Sequence, residues 1–337
     1  MNGLRLVPDW APHSYCWMAW AIDPIEWGPA TRDVRQELRE VIATISRFER
    51  VRLLTPRNLL SEARGQHFGP DVEIVEAPVD DIWMRDIAPI YAMRGGETVP
   101  IDLNFNGWGS TRFREARPGD RLAGIARSLF GSTMISAPFV AEGGALVVGH
   151  DAVVFTTRSC LLNPNRNPHL RESEIGAAII GLGASKVVWL NGDSEEKITS
   201  GHIDGYVLPS ESGEILVQRA DVSDPFVKLR NSDIETLQSV RTTSGNAIRL
   251  RVIRPPRAAT RRSEFFAASY LNVYTPNSAV VAPGFNDELR DAEASLALKQ
   301  AFPGREIKIL SIPHLASGGG GIRCLVQPVP ASDLVRK

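Results

Sequence analysis

Four short stretches of the chain carry residue types that could do chemistry. Cys324 follows four consecutive glycines, Gly318 to Gly321. Glycine permits positive φ and close backbone approach to a ligand, so a thiol ending such a run is a candidate nucleophile as well as a candidate buried cysteine. His202 and Asp204 are two apart, a spacing that on an extended backbone puts both side chains on one face. They suit an acid/base with its charge holder, or two ligands of a metal. Asp80, Asp81, Arg85 and Asp86 alternate with Ile82, Trp83, Met84 and Ile87. Charge interleaved with large apolar side chains implies buried charge, which needs a partner. That partner is either a cationic ligand under the face of Trp83 or an internal ion pair of an aspartate with Arg85. Glu142 stands directly before Gly143-Gly144, and glutamate is rarely buried unless paired.

Three kinds of function are compatible with these residues. A thiol hydrolase would use Cys324 as nucleophile, His202 as acid/base and the carboxylates to grip a cation. A metal hydrolase would use His202, Asp204, Glu142 and Asp86 as ligands, although one histidine is a poor set for zinc. A non-catalytic binder of cations would need the carboxylates and Trp83 and would have no use for the thiol. Cys16 and Cys160 sit in apolar surroundings and read as core. Asn163-Pro-Asn-Arg-Asn-Pro168 reads as a rigid turn. His13, His67, His150, His169 and His314 have no carboxylate or thiol at a meaningful spacing.

Something must carry these stretches to one place. Apolar periodicity predicts a helix over 33–50, with Val34, Leu38, Val41, Ile45 and Phe48 on one face, followed by a strand at Val51–Leu54. Four more helix-then-strand units start near Asp120, Leu170, Val227 and Asp287, and end in strands beginning at Met134, Lys186, Ile248 and Glu306. A recurring unit of this size predicts an α/β array closing on itself. Loops after four of the five strands hold Asp86, Glu142, His202 with Asp204, and Cys324, so a ring of such units would bring them to a common centre. The fourth unit offers only the downstream Ser269-Tyr-Leu-Asn272. No linker or like-charge run divides the chain, so residues 1–337 are expected to form a single catalytic domain.

With 38 Lys and Arg against 39 Asp and Glu, the net charge of −1 supplies no field for a nucleic-acid backbone. No apolar run approaches the roughly 20 residues of a membrane span, and the first 20 residues lack a signal peptide's smooth apolar stretch. A cytoplasmic location is expected, with no membrane partner. A homo-oligomer is compatible with the sequence. Three widely spaced cysteines suit neither a disulfide framework nor a CxxC zinc site.

The combination resembles the agmatine deiminase and bacterial-type peptidyl-arginine deiminase family of the guanidine-modifying superfamily. The resemblance spans nearly the whole chain: Trp10-Ala-Pro-His13, Trp17-Met-Ala-Trp20, Asp81-Ile-Trp-Met-Arg-Asp86, Asn104-Phe-Asn-Gly-Trp-Gly109, Glu142-Gly-Gly144, Cys160-Leu-Leu-Asn-Pro-Asn-Arg-Asn-Pro168, Gly201-His-Ile-Asp204 and Gly318-Gly-Gly-Gly-Ile-Arg-Cys324. It implies a five-bladed pseudo-symmetric α/β propeller around a central site. It implies Cys324 as nucleophile, His202 as acid/base, Asp86, Glu142 and Asp204 as catalytic carboxylates, and Trp83, Asp86 and Asp204 as substrate-binding residues. The reaction implied is hydrolysis of a guanidinium to a ureido group with release of ammonia, agmatine to N-carbamoylputrescine by default, with no metal or organic cofactor. Another guanidine, or amidino transfer to an amine, is the alternative.

The chain departs from the family pattern around these residues. Arg323 precedes the cysteine where the family has histidine, Leu325-Val-Gln-Pro328 follows it, Asp86 continues as Ile-Ala-Pro, and Lys197-Ile-Thr-Ser200 leads into Gly201. If Lys197 or Arg323 points into the pocket, it would repel an ammonium tail and favour a neutral or anionic one.

Overall fold

The computed structural model of the protein describes residues 3–110, 122–131, 133–220, 226–241, 245, 247–257 and 265–332. Among these residues the strands form five sheets, and each repeats one arrangement: an antiparallel pair, then a parallel strand reached through a helical connection. Ile90–Arg94 runs antiparallel to Glu97–Asp102, which pairs parallel with Ile135–Ser136. Val147–Val148, Val153–Thr157 and Lys186–Leu190 do the same. So do Val207–Pro209, Glu214–Gln218 and Arg249–Ile253. In the last unit Ala279–Gly284 is parallel to Glu306–Ser311, and the antiparallel partner is reduced to a bridge from Tyr274 to Val281.

The remaining sheet uses both ends of the chain. Gln327–Pro330 runs antiparallel to His13–Ala19, which is parallel to Val51–Thr55 and through it to Val72–Glu76. The register Gln327 to Trp17 brings the end of the chain back onto its beginning.

The connecting helices follow the predicted periodicity. Thr31–Ile45 buries Val34, Leu38, Val41, Ile42 and Ile45 against the strands, and stops earlier than predicted because residues 46–50 turn the chain into Val51. Glu172–Gly181, Val227–Ser239 and Glu288–Ala301 serve the third, fourth and fifth units. The last of these is capped by Asp287, whose carboxylate accepts from the amide of Arg290. The second unit has two short pieces, Leu122–Ile125 and Arg127–Phe130, and its predicted start near Asp120 lies outside the described residues. Val153–Thr157 and Ala279–Gly284 are buried at every position, as strands covered on both faces must be.

Two histidines expected to lack partners have them. His13 Nδ1 lies 3.0 Å from Glu49 Oε2, and His314 Nδ1 lies 2.7 Å from Glu37 Oε1. Glu49 reaches His13 where the chain enters the strand Val51–Thr55 beside His13–Ala19, whereas Glu37 reaches His314 through packing of the first unit against the last. Among the described residues no helix is long and apolar enough to cross a membrane.

Candidate active site

In four of the units a short helical turn lies between the last parallel strand and the next sheet, and these turns bring the candidate residues together. Met84–Ile87 carries Asp86, Gly143–Ala145 follows Glu142, Ile203–Gly205 follows His202 and contains Asp204, and Arg323–Leu325 contains Cys324. The fourth unit contributes Asn272. A cavity of about 430 Å³ opens over this centre, lined by Trp83, Asp86, His202, Asp204, Asn272 and Cys324, with Trp108 and the four glycines 318–321 along its wall.

The glycine run matters chiefly for close approach. Of the four, only Gly319 has a positive φ (94°). A Cβ at Gly320 would lie 2.3 Å from the Trp83 ring, and one at Gly321 would lie 2.6 Å from Asn272 Oδ1. These glycines let the loop that carries Cys324 press against the residues that line the pocket.

Cys324 is partly exposed, with Sγ 3.4 Å from Asn272 Oδ1 and 4.0 Å from Asp204 Oδ2. Burial, and then the charges of Asp204 and Asp86, push its thiol pKa well up. Asp86 accepts from Trp108 Nε1 through Oδ2 (2.9 Å) and from the amide of Gly144 through Oδ1 (2.9 Å). Burial, with Glu142 and Asp204 adding to it, raises its carboxyl above the ordinary range despite the opposing His202. Asp204 Oδ2 accepts from Arg323 Nη1 at 3.0 Å. Each carboxylate is thus oriented by protein donors and keeps lone pairs for a ligand.

His202 joins this cavity to a sealed region behind it. Its Nε2 lies 2.8 Å from Glu142 Oε1, and its Nδ1 lies 4.0 Å from Asp204 Oδ1. Burial alone would lower the imidazole pKa, but Asp86, Cys160 and Glu142 overcome it and raise it well above the usual value. Glu142 does not line the cavity. It is fully buried and takes Arg166 Nη2 at 2.5 Å and Arg166 Nε at 2.9 and 3.1 Å. Burial pushes its carboxyl up, yet Arg166 and His202 bring it down to about 2.

The run read as a rigid turn therefore has a second task. Its proline- and asparagine-rich backbone aims Arg166 inward, where Nη2 also donates to the carbonyl of Thr199. Glu142, Cys160 and His202 place one ligand atom each within 4.8 Å of one another. The Arg166 cation already occupies this carboxylate, so a metal there would stand beside a guanidinium, and the donor set fits a metal poorly.

The internal ion pair expected for Arg85 exists with a different aspartate. Arg85 Nη2 lies 3.1 Å from Asp9 Oδ2, far away in sequence. Arg323 is turned away from the cavity, and Lys197 is exposed and not among its lining residues. Neither projects into the pocket as a repelling charge. Asp193, Glu196, Arg219 and Arg230 do line it. Glu196 there accepts from Ile198 N, Thr199 N, Thr199 Oγ1 and Gly201 N, which makes it an organiser of its own loop. Trp108 and Arg166 were visible only inside motifs that carry the resemblance and had no site role assigned, and Asn272 only as the end of the polar stretch that the fourth unit offered.

Comparison with known proteins fits this architecture. The chain is 31% identical to an agmatine deiminase of Pseudomonas putida and 30% identical to one of Ectopseudomonas mendocina, each match covering 98% of this chain and 96% of the relative. The solved agmatine deiminase of Enterococcus faecalis superposes with a TM-score of 0.89 at 24% identity, over 98% of this chain and 97% of that one. The agmatine deiminase of C. jejuni superposes with a TM-score of 0.79 at 20% identity, over 97% and 96%. These two likenesses show the α/β fold. The profile of the Porphyromonas-type peptidyl-arginine deiminases matches residues 5–330, and the chain belongs to that family.

Proposed function

We propose that residues 1–337 form one guanidine deiminase unit that hydrolyses a guanidinium to a ureido group and ammonia, with agmatine as its substrate. The observation that carries this reading is a partly exposed thiol set between two buried carboxylates and an imidazole in one cavity. A guanidinium stays protonated at physiological pH, so a pocket for it needs fixed negative charge. Asp86 and Asp204 supply that charge and hydrogen-bond the guanidinium nitrogens, while Trp83 packs against its face. Agmatine comes from the names of the full-length relatives.

Substrate binding starts the chemistry. At rest burial and the two carboxylates hold the thiol protonated, and the arriving cation offsets the carboxylates' charge and lets the proton leave to solvent. The Cys324 thiolate attacks the central carbon, forming a C–S bond. His202, protonated at rest, donates a proton to one amino group, the C–N bond breaks and ammonia departs, leaving a cationic thiouronium on sulfur. The neutral imidazole then takes a proton from water as its oxygen adds to carbon. The C–S bond breaks, sulfur leaves as thiolate, and loss of the remaining proton gives the ureido product. Nδ1 is the nitrogen that serves this cycle, since Nε2 is committed to Glu142. Glu142, shut off from the cavity, holds the imidazole in place and favours its protonated form.

Ammonia release from agmatine, free arginine, a C-terminal arginyl peptide and 4-guanidinobutyrate tests the reading. The highest kcat/KM is expected for agmatine. A strong preference for a carboxylate-bearing compound would overturn the agmatine assignment, and no ammonia from any of them would overturn the deiminase.

A further inference from the structure

We propose that Arg323 is a positioning residue for the substrate guanidinium, acting by pinning the Asp204 carboxylate from behind. The inference rests on the deiminase reading and adds a residue to it. Arg323 is 3% exposed and does not line the cavity, so it touches no substrate. Its donors are spread over several turns of the site. Nη1 donates to Asp204 Oδ2 at 3.0 Å and to the carbonyl of Gly143 at 3.2 Å, Nη2 donates to the carbonyl of Leu146 at 3.1 Å, and Nε donates to Asp9 Oδ2 at 2.8 Å. Its own backbone is tied as well, with N donating to Asn272 O (3.2 Å) and O accepting from Arg85 Nε (3.4 Å).

One side chain therefore sets the relative placement of the turns that carry Glu142, Asp204 and Cys324, while Asp9 links it to Arg85 beside Asp86. With Oδ2 held, the Asp204 carboxylate cannot rotate freely. Oδ1 stays toward His202 and Oδ2 stays 4.0 Å from the sulfur. A planar cation that must present its carbon to Sγ gains from a carboxylate already fixed in that orientation. A guanidinium does this better than an ammonium, because its planar fork reaches several acceptors at once.

A purely electrostatic account makes the opposite forecast. Arg323 offsets the charge of Asp204, so removing it would expose more negative charge and tighten binding of a cation. Positioning predicts weaker binding. The test is the dissociation constant of the preferred guanidine, by calorimetry on an inactive Cys324→Ala background with and without Arg323→Gln, together with kcat and KM in the active background. Arg323→Gln is expected to raise Kd and KM at least tenfold and to lower kcat by a smaller factor. Arg323→Lys, which keeps a cation and loses the fork, should recover only part of the affinity. Unchanged or tighter binding in Arg323→Gln overturns the proposal. If that variant does not fold, an unchanged KM in Arg323→Lys overturns it, and a KM raised several-fold with a near-normal melting temperature supports it. A wild-type protein inert toward every guanidine would defeat the deiminase reading instead, so the two failures are distinguishable.

Discussion

On either side of His202 the protein builds the same trio, an arginine, a carboxylate and a thiol. In the sealed region Arg166 closes on Glu142 through three contacts, both side chains have no exposure, and Cys160 Sγ lies 3.9 Å from Glu142 Oε1. On the cavity side Arg323 gives Asp204 a single contact, and Cys324 Sγ lies 4.0 Å from Asp204 Oδ2. The inventories and the sulfur-to-carboxylate distances match, so neither sets apart the trio assigned to the substrate. Access does, together with how far the arginine consumes the carboxylate. A carboxylate saturated by a buried guanidinium is a fixed charge for its neighbour, whereas one held at a single oxygen and open to a cavity can still accept from a ligand.

The sharpest way to break this comparison is to exchange the fates of the two thiols. Cys324→Ala should lower turnover to background, a loss of about 10⁴-fold or more if the nucleophile is gone. Cys160→Ala should keep kcat/KM within a few-fold and cost about 1–2 kcal/mol of stability, as small core truncations do. Ammonia release and chemical denaturation measure both, and the reverse pattern would put the reactive sulfur on the sealed side.

The two arginines should also differ in what they cost. Arg166→Met strands Glu142 in a place without solvent, and removing one partner of a buried pair costs about 3–5 kcal/mol. Adding Glu142→Gln to that variant should return part of the stability, measured by urea unfolding. Failure of the second substitution to restore anything would mean that the Arg166–Glu142 pair is not what the region depends on.

Acid stability gives a smaller and signed effect. Glu142 is held down to about 2 in the folded chain against an ordinary value of 4.5. Its stabilisation is therefore complete above the unfolded value and is lost as pH falls from about 4.5 toward 2. His202 has the opposite sign: its raised pKa stabilises fully below about 6.5, and the contribution disappears as pH rises through the folded value. Unfolding free energy measured across pH should lose part of its acid slope in Glu142→Gln. An identical slope would assign the acid sensitivity to other carboxylates.

The mildest effect concerns the resting thiol. Burial, and then the charges of Asp204 and Asp86, hold it protonated, so Asp204→Asn should speed alkylation of Cys324 by neutral iodoacetamide a few-fold near neutral pH. Cys160 should stay unlabelled in the folded protein, and slower labelling of Cys324 in that variant would contradict the charge argument.

The sequence by itself determined the repeating units and most of the residues that meet at the centre. Helical periodicity and apolar strands are local properties, so Lys186–Leu190 and Glu306–Ser311 fall where composition places them, and the helix Thr31–Ile45 lies on the predicted apolar face although it ends before residue 50. The polar loops that follow such strands stand out against an apolar background, which is why Asp86, His202, Asp204 and Cys324 were visible. Only the tertiary structure decided which partner each charge would take. Arg85 lies within a cluster of aspartates and pairs with Asp9, Arg166 reaches back 24 positions to Glu142, and Arg323 turns from the pocket toward Asp9 and Asp204. The physical reason is that a buried guanidinium must find a carboxylate or carbonyls wherever the folded chain brings them, and the sequence separation of those partners leaves no local mark. Cys160 could be read as core from its apolar neighbours, but that Glu142 lies with it behind the cavity, while Asp204 and Cys324 line it, was decided by the tertiary structure.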